Sequence, residues 1–233
     1  MPVGKRIYLK RNLPDPAIIE QFKQLPASSV ADTMARSCSM HPRIRLISSP
    51  KAAITCGPAL TVKTRAGDNL ALHIALSIAT EGDYIVVANE GDDSRSLMGE
   101  IMTAYLHYQK KVAGIILDGP IRDIEELSGW DFPIYATGST PGGPYLEGPG
   151  EINVPIACGG ISVAPGDIIL ADADGIIVIP RNDAETVLQD AIKYNEQDAK
   201  KARQAKDGTI NRDWVQKAIV DKGFCVIDGV YGG

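Results

Sequence analysis

Residues 112–123, VAGIILDGPIRD, constrain the fold of this chain more tightly than any other stretch. Val112, Ile115, Ile116 and Leu117 form a short apolar run bounded by turn residues, which predicts a buried strand. The run stops at Asp118-Gly119-Pro120, where glycine can take positive φ and proline removes a backbone donor, so the chain must turn. Upstream, YIVVA at residues 84–88 predicts a second buried strand, and SLMGEIMTAYLHYQKK between the two predicts a helix. Strand, helix, strand at this spacing reads as a β-α-β unit with adjacent parallel strands. In such a unit the start of the helix and the end of the second strand share one sheet edge, outside which ligands of open α/β sheets bind. Residues 99–102 are therefore expected to face Arg122 and Asp123 across a cleft.

The 233 residues can bury one substantial core, and no Ser/Gly/Pro linker divides them, so one domain is expected over 1–233. The formal net charge of −5 argues against an electrostatic nucleic-acid binder, which needs a basic face to neutralise phosphates. Cys38, Cys56, Cys158 and Cys225 lie far apart without a C-x-x-C pair, which fits reduced, mostly buried thiols better than zinc or disulfides. No apolar run approaches the ~18 residues of a membrane span, and the N-terminus carries no signal-like apolar region. A soluble, cytoplasmic protein without membrane or nucleic-acid partners is expected.

Around the central unit, Ile18, Ile19, Phe22 and Leu25 predict an amphipathic helix closed by Pro26, followed by a second helix capped near Ser28-Ser29. Residues 54–63 predict a strand, and Gly67-Asp68-Asn69 opens a further helix with Asp68 as its cap. His73 in that helix reads as a hydrogen-bonded packing residue, with a ligand or base as the alternative. Ser94 or Ser96 is the expected cap of the crossover helix, and Gly99 in its first turn suggests close approach by another group. Unsatisfied amides at such a helix start suit a carboxylate or phosphate; a glycine tolerated for packing is the alternative. Arg122-Asp123 read alone could equally be a surface turn with Asp123 capping IEEL, and Asp118 is expected to brace the turn.

Residues 130–136 predict another short strand, and the Gly/Pro-rich GSTPGGPYLEGPGE a long irregular loop with a functional or subunit-contact role. Residues 152–180 read as antiparallel strands turning at Gly159-Gly160, Pro165-Gly166 and Asp174-Gly175, a second strand layer on the first. Two helices end the chain, at 182–206 with Val187, Leu188, Ala191 and Ile192 on one face, and at 213–222 with Trp214, Ala218 and Ile219 inward.

The order Gly67-Asp68-Asn69, Gly99-Glu100, Asp118-Gly119-Pro120-Ile121-Arg122-Asp123, Gly166-Asp167 and Asp174-Gly175 resembles the RraA-like family over roughly residues 27–182. That family holds 4-hydroxy-4-methyl-2-oxoglutarate aldolases, related aldolases with oxaloacetate decarboxylase activity, and regulators of ribonuclease E. The resemblance implies an α/β protein of the layered β/β/α swivelling-domain type, with a parallel β-α-β core, a second strand layer and a C-terminal helical extension over about 183–223. It implies Asp123 as ligand of a divalent cation, Mg²⁺ or Mn²⁺, Arg122 as the residue that holds substrate, and Gly99, Glu100, Ile101 and Met102 as the backbone that receives its carboxylate or keto end. It also implies homotrimers or hexamers with sites between protomers, where Glu196 or Asp198 of the extension is a candidate to reach a neighbour's site. Regulatory members tend to be shorter and to lack the acid after the arginine.

The expected activity is thus a metal-dependent class II aldolase, a lyase cleaving a 4-hydroxy-2-oxo acid to pyruvate and a second carbonyl acid, with oxaloacetate decarboxylation through the same enolate. Glu100 is the candidate to position a water as base, one methylene longer than the Asp of the aldolase compared. The alternative is a non-catalytic regulator that binds a ribonuclease. A phosphate-binding sugar enzyme is disfavoured, because no G-x-x-x-x-G-K-[ST] loop is present.

Overall fold

The computed structural model describes residues 2–232, and its backbone divides into two units, one ending at Asn195 and one beginning at Glu196. The first unit opens with helices α1 (Pro16–Phe22) and α2 (Ala27–Thr33), then strands β1 (Arg45–Leu46) and β2 (Thr55–Thr64). Helix α3 (Leu70–Ile78) leads to β3 (Tyr84–Ala88), and α4 (Glu100–Ala104), continued by a π-helical segment over Tyr105–Lys110, leads to β4 (Gly114–Asp118). After the short α5 (Ile124–Leu127) come β5 (Ile134–Ala136), β6 (Gly150–Ile152), β7 (Ile156–Cys158), β8 (Ile161–Val163), β9 (Ile168–Asp172) and β10 (Gly175–Ile179). Helix α6 (Ala184–Lys206) crosses the boundary between the units, and α7 (Asp213–Asp221) lies in the second.

The expected β-α-β unit is present. β3 and β4 pair in parallel from Tyr84↔Gly114 to Ala88↔Asp118, and β2 and β5 extend the parallel set on either side. The sheet order is β1-β5-β4-β3-β2-β9-β10, with β6 also paired to β2. β2 is long enough to serve two neighbourhoods: residues 59–63 pair with β3, whereas 55–58 pair antiparallel with β9. The expected second strand group is therefore continuous with the first through β2, and the β7-β8 hairpin is a separate sheet.

The apolar runs have no polar alternation because both faces are covered. Ile85, Val87, Ile115 and Leu117 point to a core shared with α3, while Tyr84, Val86 and Ile116 point to one shared with β7, β8, β9 and β10. A third cluster joins α1 and α2 to β9, β10 and the first turns of α6 through Phe22, Val30, Ile177, Leu188 and Ala191. Cys38, Cys56 and Cys158 are buried free thiols, and burial pushes Cys56 up to about 12. No helix among the described residues is long and apolar enough to cross a membrane.

Several local expectations shift. α2 starts at Ala27 behind Pro26, and the Asp172 carboxylate accepts from the Ala27 amide at 2.9 Å, so a distant acid replaces the Ser28-Ser29 cap. The crossover helix starts at Glu100 with Gly99 in the cap position, because Ser96 instead binds the Gly142 carbonyl through both its amide and its hydroxyl. β5 is shorter than residues 130–136. In the second unit no residue of α7 is buried and Trp214 is exposed, against the inward orientation expected; so small a unit has too little apolar surface to enclose an indole.

Asp68 acts beyond its own helix. It is fully buried; Oδ1 accepts from the Leu70 amide at 2.9 Å, while Oδ2 accepts from Glu147 at 2.7 Å and Gly148 at 2.8 Å. Asn69 holds the cap position of α3. The carboxylate thereby ties the end of the Gly/Pro-rich loop to the start of α3. Asp68→Ala strands these amides and is expected to cost about 2–4 kcal/mol in urea unfolding, whereas a plain surface cap would cost about 1 kcal/mol.

Candidate active site

The turn after β4 is held by its neighbours rather than by its own residues. The Leu97 amide donates to the Pro120 carbonyl at 3.0 Å, and the Arg122 amide donates to the Met98 carbonyl at 3.0 Å. These two bonds lay the approach to α4 alongside the exit from β4 and set Gly99 against Arg122 and Asp123. Asp118 braces the turn as expected: one oxygen pairs with Arg43 and the other accepts from the Gly159 amide at 2.9 Å.

Asp123 takes a left-handed conformation, φ 61°, and its side chain does not cap the helix that follows. Instead Oδ2 accepts from the Glu100 amide at 2.9 Å, so the carboxylate caps α4 across the cleft. Arg122 Nε lies 3.6 Å from the same oxygen, and both side chains remain close to half exposed. Among the described residues Oδ1 receives no hydrogen bond. Gly99 permits this close approach: a Cβ on it would overlap Asp123 Oδ2 and lie 2.8 Å from Arg122 Cγ, so both side chains would have to shift. The close approach inferred from glycine in the first turn is that of these two side chains.

Two cavities flank Arg122. One, of about 380 Å³, is lined by Arg122, Asp123, Ile124, Ser139, Thr140 and Pro141. The other, of about 280 Å³, is walled by Asn69, His73, Met98, Gly99, Ile101, Met102, Arg122, Pro144 and Leu146. The Gly/Pro-rich loop closes both. It is zipped to the turn by Ile121 N to Gly138 O at 3.0 Å and Thr140 N to Ile121 O at 3.1 Å, and to the start of α3 by Asn69 N to Tyr145 O at 3.0 Å. Arg95 fastens its middle, donating to the Gly143 carbonyl at 2.9 Å and stacking 4.0 Å above the Tyr145 ring.

Of the residues singled out from the sequence, Gly99, Ile101, Met102, Arg122 and Asp123 line these cavities. The amides of Gly99, Ile101 and Met102 meet no protein acceptor among the described residues, whereas that of Glu100 is taken by Asp123. The Glu100 side chain is exposed and lines neither cavity. His73, expected to pack, is exposed on α3 and faces the second cavity, because the inward face of that helix is held by Ala71, Leu72, Ala75 and Leu76. Ser139, Thr140, Asn69 and Leu146 were not anticipated as lining residues; they enter through the loop and through the Gly-Asp-Asn turn, whose placement depends on long-range hydrogen bonds. Among the described residues no group of three or more His, Cys, Asp or Glu could hold a metal ion, so a cation here would rest on Asp123 with water and ligand oxygens.

Over residues 27–178 the sequence matches the RraA-like family, described as Aldolase/RraA. A protein of Halalkalibacterium halodurans named "Putative 4-hydroxy-4-methyl-2-oxoglutarate aldolase" is 36% identical over 202 residues, covering 86% of this chain and 95% of the relative. An uncharacterized protein from Pseudomonas syringae pv. tomato shares the fold, with a TM-score of 0.73 at 20% identity over 85% of this chain and 96% of its own. RraAS2 of Streptomyces coelicolor, described as an unusual member of the RNase ES inhibitor RraA protein family, aligns with a TM-score of 0.72 at 25% identity over 82% of this chain and 98% of its own. Sequence match, near full-length relative and shared architecture agree, and the chain belongs to the RraA-like family.

Proposed function

We propose that this protein is a divalent-metal-dependent lyase that cleaves a 4-hydroxy-2-oxo acid by retro-aldol reaction to pyruvate and a second carbonyl acid, and that it also decarboxylates oxaloacetate. The observation that carries the reading is the Arg122-Asp123 corner: a carboxylate held in place through Oδ2, with Oδ1 open beside a guanidinium and two cavities. The aldolase name of the Halalkalibacterium relative supports the same class of reaction.

The donor set fits a hard cation. One carboxylate oxygen, no thiol or imidazole cluster, and space for several oxygens suit Mg²⁺ or Mn²⁺, which keep much of their water. Asp123 would hold it, and such a cation supplies Lewis-acid polarisation of a 2-oxo group. The protein's own contribution is positional. Arg122 offers a fixed cation to the substrate's carboxylate and to charge that develops on the keto oxygen as the C3–C4 bond breaks. The open amides of Gly99, Ile101 and Met102 add donors on the same side. Because cleavage and decarboxylation both leave electrons on a pyruvate enolate, one set of donors serves both. Assembly into trimers or hexamers, with Glu196 or Asp198 near a neighbour's site, belongs to the same proposal.

The likeness to RraAS2 favours one second reading, a regulator that binds a ribonuclease. Cation dependence separates the two, since a protein-binding surface needs no metal at its core.

With Mg²⁺ or Mn²⁺ the purified protein is expected to release pyruvate from 4-hydroxy-4-methyl-2-oxoglutarate and from oxaloacetate, and chelator should abolish both in a coupled lactate dehydrogenase assay. Asp123→Ala should lower kcat/KM by about 100-fold or more, and, because the carboxylate also caps α4, cost about 1 kcal/mol of stability. Absence of release from either compound with either metal would sink the lyase reading and favour the regulator. A third variant probes positioning: Gly99→Ala pushes the Asp123 carboxylate aside, and a displacement of about 1 Å should cost on the order of 100-fold in kcat/KM. Wild-type rates in Gly99→Ala would show that the position of Asp123 is unimportant.

A further inference from the structure

Retro-aldol cleavage needs an acceptor for the proton of the C4 hydroxyl, and Asn69, which lines the cavity beside Gly99, carries a buried polar atom without a partner among the described residues. Asn69 is 3% exposed, and its Oδ1 is buried without a hydrogen-bond partner among the described residues. Its orientation is fixed, because Nδ2 donates to the Leu97 carbonyl at 2.8 Å; exchanging O and N would set two acceptors against each other. A buried carbonyl oxygen left unpaired is costly, which marks it as awaiting a donor. Among the described residues two other buried side-chain atoms are also unpaired, Arg11 Nε and Asn153 Oδ1, but their residues line neither cavity at Arg122. Next to Asn69 the wall is Met98 and Met102, with Met102 Sδ 3.6 Å from Asn69 Nδ2, and unbranched thioether chains yield readily to an incoming molecule.

One helical turn on from Asn69, on the same face of α3, stands His73, whose amide donates to the Asn69 carbonyl at 3.1 Å. Residues four apart on a helix have Cβ atoms roughly 5–6 Å apart, a span one water bridges. Both residues line the same cavity as Gly99 and Arg122.

We propose, on the lyase reading given above, that His73 is the base for the C4 hydroxyl, acting through a water that Asn69 Oδ1 positions. The water donates one hydrogen to Asn69 Oδ1 and the other to the unprotonated nitrogen of His73, and accepts from the C4 hydroxyl. As the C3–C4 bond breaks, its electron pair passes to the C2 carbonyl as the enolate. The O–H pair forms the new carbonyl at C4, and the hydroxyl proton enters the water while the water's own proton passes to His73. No redox partner is required, and the imidazolium holds the proton that the enolate later needs. An imidazole suits this role because its ring nitrogens can both accept and return a proton. Asn69 is a positioning residue; His73 carries the proton.

The test uses the full-length protein with Mg²⁺ or Mn²⁺ and compares 4-hydroxy-4-methyl-2-oxoglutarate, which has a C4 hydroxyl, with oxaloacetate, which has none. His73→Ala is expected to lower the ratio of cleavage to decarboxylation about 100-fold, and added imidazole should restore part of the cleavage. Asn69→Ala should lower the same ratio about tenfold through kcat rather than KM, with melting curves reporting any loss of fold. An unchanged ratio in His73→Ala, or a fall in Glu100→Gln alone, would overturn the proposal while leaving the lyase reading intact. A wild-type protein that releases pyruvate from neither compound would overturn both.

Discussion

Two backbone hydrogen bonds, from the Leu97 amide to the Pro120 carbonyl and from the Arg122 amide to the Met98 carbonyl, hold the rest of the site in register. They join a segment that enters a helix to a segment that has just left a strand, and neither is part of the main sheet ladder. With them in place, the Asp123 carboxylate lies against the first amide of α4, and any side chain at position 99 would displace it. The carboxylate serves as the cap that α4 lacks in its own sequence. Stability of the helix start and placement of the acid are therefore one interaction. A substitution at either end would be felt at both.

The scaffold supplies rigidity behind this corner. Strands covered on both faces can be apolar throughout, and β3 and β4 bury every residue. Their ends place Ala88 and Asp118 side by side, and Asp118 is locked by Arg43 and the Gly159 amide. The long Gly/Pro-rich loop would be poorly ordered as an isolated peptide. Here buried Asp68, Ser96 and the Arg95–Tyr145 stack convert it into a wall, so the cavities on either side of Arg122 have fixed linings.

The two cavities divide the chemistry proposed for them. The Asp123 side is polar and open, suited to a hydrated cation and the oxygens of a 2-oxo acid. The Asn69 side is walled mainly by Met98, Ile101, Met102, Pro144 and Leu146, with few polar groups, each of which then matters for orientation. Arg122 lines both. Relatives with regulatory and with catalytic names both match this chain, so the fold by itself does not decide between the two readings.

Local sequence by itself determined the β-α-β unit, because apolar runs ended by Asp-Gly-Pro and Gly-Asp leave a strand few other choices. It also pointed to Arg122 and Asp123 through their place after a strand, and to Gly99 through the cost of glycine in a first turn. Whether Asp123 caps the helix it precedes or another one was not decidable locally, since an aspartate before IEEL fits both; tertiary pairing chose α4. The same holds for Ala27, capped by Asp172, and for Asp68, whose partners lie some eighty residues away in the chain. His73 read as a packing residue because its neighbours in sequence are apolar, yet a helix with Ala71, Leu72, Ala75 and Leu76 inward turns position 73 out towards the cavity. Periodicity dictates which residues share a face, but what each face meets depends on contacts between distant segments, and only the folded chain brings those together.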